Sequence, residues 1–134
     1  MINYIRWILI PIVGVLSWYL AVFIGLAAYQ FAESLCPSEY IISGMCFAPW
    51  FATVSKLIID VGAGLSALFV VLFSTLLAPS RKVEIAWFVF FTGLAVAMFI
   101  AFQANAFAEL AWAGVFGLVT TIVLTRNFTR RRLR

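Results

Sequence analysis

Cys36 and Cys46 are the only cysteines in the chain, and histidine is absent. The groups able to do chemistry are therefore two thiols, five carboxylates and nine bases. The two thiols enclose Pro37 and Gly44, residues that turn a chain back on itself. In an oxidising compartment this pattern predicts a structural disulfide. Closing a loop of about 11 residues restricts the unfolded chain by about 3 kcal/mol in the chain-entropy model. The reactive alternative is a thiol–disulfide redox protein. Such sites use C-x-x-C, which tunes the thiol pKa, and that motif is absent here, so the redox reading ranks below the structural one.

Lys56 and Asp60 stand four residues apart, and Thr53 completes an i, i+3, i+7 polar stripe with them. Lysine ahead of the acid is the weaker orientation for a helical ion pair. An interfacial role accounts for both: Lys56 snorkels to water, and Asp60 benefits from the positive end of its helix. The functional alternative is an outer polar vestibule for an ion or small solute, because ionisable residues within membrane spans mark pathways. Glu109 follows a polar turn containing Gln103 and Asn105, and it joins Lys56 and Asp60 if the second and fourth spans are neighbours.

No catalytic set emerges from these residues. Without histidine the usual haem ligand, the commonest zinc ligand and the commonest proton relay are all missing. Gly62-Ala63-Gly64 is not a nucleotide loop, since no strand precedes it. The expectation is a non-enzymatic protein with no catalytic residue, metal or cofactor.

The elements that must carry these groups are dictated by composition. The chain has 134 residues, 66% hydrophobic and 10% charged, with a mean hydropathy of +1.13. Soluble domains carry about 25% charged residues. The reading is an all-α integral membrane protein with four transmembrane helices in a compact up-down bundle, forming one domain over 1–134. A hydrocarbon core of about 30 Å needs about 20 helical residues, and the uncharged runs place spans at about 7–31, 57–79, 85–103 and 107–125. An outer loop at 32–56 holds the cysteines. Pro49 suits the first turn of a helix, so the second helix starts before its span. Trp7 and Trp87 mark one interface and Trp50 and Trp112 the other, while Trp18 falls mid-span.

Charge sets the orientation. Arg6, Arg81, Lys82, Arg126, Arg130, Arg131, Arg132 and Arg134 share one side, and Lys56 alone lies on the other. The positive-inside rule then places both termini in the cytoplasm, giving an N-in, C-in protein of the inner membrane of a bacterium. Arg126, Arg130, Arg131, Arg132 and Arg134 are expected to touch anionic lipid at the cytoplasmic face, each worth about 1 kcal/mol, with no nucleic acid required. Small residues recur at four-residue spacing in Gly62 and Ser66, Ala63 and Ala67, Gly93 and Ala97, and Ala113 and Gly117, and such pairs let helices approach closely in lipid.

Two function classes follow. The first is an accessory, scaffold or assembly subunit that engages a membrane-protein partner, or a second copy, through its outer loop and the segment from Pro49 to Asp60. The second is a small transporter or channel using Lys56, Asp60 and Glu109.

Overall fold

The computed structural model describes residues 2–132, with side chains described from 5 to 130. Four helices dominate: α1 (Ile2–Ser34), α2 (Phe51–Leu77), α3 (Lys82–Ala104) and α4 (Phe107–Arg132). Each contains a stretch long and apolar enough to cross a membrane. Between α1 and α2 lie a single 3-10 turn (Ser38–Tyr40) and two short strands, β1 (Ile41–Ile42) and β2 (Met45–Cys46). The helices run past the expected spans except at the end of α2, which stops at Leu77, short of 79. α2 begins at Phe51 because the Phe51 and Val54 amides donate to the Ala48 and Trp50 carbonyls, and α4 carries the basic tail on as helix to Arg132.

The helices form a bundle around α2. α1 packs along α2, and α2, α3 and α4 pack on one another. Much of what lies between them is small: Ala21, Ala86 and Ala101 are buried, as are Ser17, Ser74, Thr75 and Thr121, beside Val71, Ile85 and Phe90. What faces outward is large, including Phe23, Phe31, Phe88, Phe99 and Phe102. Water would penalise that outer surface heavily. Lipid does not, and in lipid the association of helices relies on close van der Waals contact between small residues. Three of the four interior hydroxyls are satisfied locally: Ser17, Thr75 and Thr121 donate to the carbonyls of Val13, Val71 and Gly117 at 2.6, 2.6 and 2.8 Å.

The tightest approaches involve two glycines. A Cβ added at Gly64 would stand 3.0 Å from the Phe116 ring, and one added at Gly117 would stand 3.0 Å from the Phe90 ring and 3.6 Å from the Ala67 Cβ. Three helices meet at Gly117. Gly62 and Gly93, expected from their spacing to be packing residues, have open space where a Cβ would stand. Gly64 takes the role on α2 instead.

The connections are short. At the basic end, Arg81 sits in the left-handed region ahead of α3 and pairs with Glu84 at 3.4 Å. Lys82 donates to the Leu76 carbonyl at 3.3 Å and lies over the Phe128 ring, so this turn ties α2, α3 and α4 together. At the other end, Asn105 takes the left-handed conformation and the amides of Asn105 and Ala106 both donate to the Ala101 carbonyl. Asparagine tolerates that conformation better than most residues, so the turn falls where the polar Gln103 to Asn105 stretch predicts.

Gly117→Ala is expected to cost about 1–3 kcal/mol through overpacking, and Gly93→Ala to change stability by less than about 0.5 kcal/mol. Reversible unfolding in bicelles measures both; equal effects would contradict the helix contacts described here.

Candidate functional site

The loop between α1 and α2 folds into a compact unit. Ser43 and Gly44 both have positive φ, 52° and 80°, which forms the two-residue turn whose twist suits a hairpin. β1 and β2 pair across it, Ile42 with Met45 and Ile41 with Cys46, and the Phe47 amide extends the ladder to the Tyr40 carbonyl at 2.9 Å. The Cys36 and Cys46 sulfurs stand at disulfide-bonding distance, 2.03 Å, so the hairpin is anchored to the chain leaving α1.

Beneath the hairpin is a small core. Ala32, Cys46, Ala48 and Phe51 are buried together, with Tyr29, Cys36, Val54 and Ile58 packed around them. The Tyr29 and Phe51 rings meet edge to face at 5.5 Å. α1 and α2 are thereby joined at their ends by the loop as well as along their length.

The upper surface of this unit is apolar and uncovered. Ile42, Met45 and Phe47 are 60%, 58% and 57% exposed, and Leu35, Ile41 and Trp50 are exposed beside them. Single exposed apolar residues are ordinary, but a contiguous group on a rigid support marks an interaction surface. The sequence places the recognition surface on the loop together with the segment from Pro49 to Asp60, with Trp50, Phe51, Val54 and Leu57 as its apolar face. Phe51 is in fact buried at 7% exposure and belongs to the supporting core. The hairpin itself was missed, and its signal was the Ser43-Gly44 dipeptide between apolar residues.

The polar stripe divides at Asp60. Thr53 and Lys56 are exposed, whereas Asp60 is buried at 8%, one turn ahead of Gly64 on the face that meets α4. Among the described residues its Oδ1 has no hydrogen-bond partner. Glu109 is half-buried at the start of α4. Among the described residues no ion pair joins Lys56, Asp60 and Glu109, and the one that forms is Arg81–Glu84. The outer carboxylates and the lysine are therefore separate groups in this structure. No three metal-ligating side chains converge among the described residues.

Arg126 and Arg130 are exposed at the end of α4. The side chains of Arg131 and Arg132, and the whole of Arg134, lie outside the described residues. Of the remaining small residues, Ala67 meets Gly117, while Ser66 donates to the Ala63 carbonyl at 2.7 Å.

No protein-family model matches the chain, and no curated protein or solved structure is similar to it. Function is therefore argued from the geometry alone.

Replacing both cysteines with serine is expected to cost about 3 kcal/mol and to raise hydrogen exchange first at residues 38–47. Asp60→Leu is expected to raise stability by about 1–3 kcal/mol, because it removes a buried oxygen that lacks a partner. Thermal unfolding of the purified variants reads both effects; a destabilised Asp60→Leu variant would show that the carboxylate is partnered in the membrane.

Proposed function

We propose that this chain is a small, non-enzymatic accessory or assembly subunit of a membrane complex, which engages a membrane-protein partner through its outer hairpin. The observation that supports this most strongly is the exposed group Ile42, Met45 and Phe47 on a hairpin held by the Cys36–Cys46 link. Fixing the hairpin before contact lowers the ordering cost of recognition. Apolar residues at the centre of such a patch contribute most of the binding energy.

The orientation follows from the charge asymmetry: both termini and the Arg81–Lys82 turn face the cytoplasm of a bacterial inner membrane, and the hairpin faces the periplasm. That compartment suits a disulfide. The location of Cys46 in the small core beneath the hairpin favours a structural link over a redox-active pair, since buried sulfur is poorly placed for exchange. Arg126 and Arg130, with the rest of the basic tail, rest against anionic headgroups in this orientation.

The second reading is a small-solute or ion transporter or channel, favoured by the buried, unpartnered Asp60. Against it, the buried hydroxyls of Ser17, Thr75 and Thr121 bond to carbonyls of their own helices. Flux in proteoliposomes that Asp60→Asn abolishes would favour the transporter and count against the subunit.

Two measurements test the proposal. In intact cells, a cysteine at position 38 is expected to react with a membrane-impermeant maleimide and one at position 80 to stay protected; reaction at position 80 would reverse the orientation. A photo-crosslinking residue at Ile42 or Phe47 is expected to give one discrete protein adduct, and one at the lipid-facing Phe99 none. Double substitution Ile42→Glu, Met45→Glu should abolish the adduct at Phe47 without loss of membrane insertion. An adduct that survives the double substitution would place the partner elsewhere.

A further inference from the structure

α1 and α3 both pack on α2 but leave a groove of about 690 Å³ between them, floored by α2. We infer that this groove holds the acyl chains of one anionic glycerophospholipid, with its headgroup at the basic end of the bundle. The inference rests on the membrane reading above and adds a binding site to it.

The walls on α1 and α2 end at about the depth of one leaflet, half of the hydrocarbon core, while the α3 wall runs past it. The lining runs from Trp7 to Trp18 on α1, from Ser66 to Ser74 on α2 and from Ile85 to Ile100 on α3. At 1.5 Å per residue these are about 17, 12 and 22 Å. All fall short of the roughly 30 Å of a full hydrocarbon core, so a partner's transmembrane helix would find only part of a seat.

Charge and hydrogen bonding select the lipid. At one end of the groove the lining residues Trp7 and Ile85 adjoin two bases, Arg6 just before Trp7 and Arg81 one turn before Ile85. Both arginines are exposed, and the 3.4 Å contact of Arg81 with Glu84 is a surface pair that leaves its other N–H donors free. Ser74, 1% exposed, lines the groove one turn inside the end of α2, beside Gly14. Among the described residues its hydroxyl makes none of the carbonyl hydrogen bonds that occupy Ser17, Thr75 and Thr121. It is a free donor at a depth suited to an ester carbonyl below a headgroup held by Arg6 and Arg81.

Gly93 provides the means of testing. It lines the groove and a Cβ there would meet nothing within 4 Å, so Gly93→Phe fills the space without disturbing a helix contact. Val96→Trp, at an exposed lining residue, is a second blocking variant. The full chain is purified from membranes, offered equal amounts of phosphatidylglycerol and phosphatidylcholine, and examined by native mass spectrometry. One phosphatidylglycerol is expected per wild-type monomer. Gly93→Phe and Val96→Trp should each reduce it to about a tenth, with the Cys36–Cys46 link and the melting temperature kept. Arg6→Gln with Arg81→Gln should leave one lipid bound but lower the preference for phosphatidylglycerol by about fivefold for each base removed. Bound lipid unaffected by either blocking variant, equal retention of the two lipids by the wild type, or a dimer that Gly93→Phe dissolves would each overturn the inference. A chain recovered outside the membrane fraction would overturn the membrane reading itself.

Discussion

Gly117 lies where three helices converge: Phe90 of α3 and Ala67 of α2 both approach the backbone of α4 there. Gly64, one turn from Ala67 on α2, accepts Phe116 in the same way. In lipid no hydrophobic force drives helices together, so association depends on how closely their surfaces fit. Large rings seated on glycine backbone supply that fit for α2, α3 and α4. α1 takes no part in this cluster and is held instead along α2 and through the disulfide-linked loop at its end.

That division produces the two surfaces on which a function can act. Because α1 packs chiefly on α2, a groove stays open between α1 and α3. Because the loop ties α1 to α2, the hairpin above them has a core of its own and a fixed outline. Buried Phe51 and partly buried Tyr29 support the hairpin from below and close that end of the α1–α2 pair. The hairpin and the α1–α2 pair thus rest on one small cluster.

Much of this was legible in the amino-acid sequence. Uncharged runs bounded by arginines and prolines gave four helices, and the two cysteines gave the link between Cys36 and Cys46. The turn at Asn105 followed from a polar interruption in an otherwise apolar stretch. The helix contacts were not legible, for a physical reason: the lipid-facing and buried sides of α1, α3 and α4 are equally apolar, so periodicity carries no direction. Four-residue spacing picked out Gly62 and Gly93 as readily as Gly117, although only Gly117 meets a neighbour. The hairpin was hidden for a different reason, since strands of two residues are too short to show alternation. Asp60 could be seen as unusual, but its separation from Lys56 required the geometry of α2 against α4.

The central claim is that the apolar surface of the hairpin stands in water when the chain is alone and is covered when its partner is present. Spin labels at Ile42 and Met45 measure this directly by power-saturation EPR, with a water-soluble nickel complex and oxygen as relaxants. For the purified protein in vesicles the account predicts access to the nickel complex at both positions, and loss of that access in native membranes. Preferential access to oxygen in vesicles, with no change in native membranes, would place the hairpin in lipid and contradict the account.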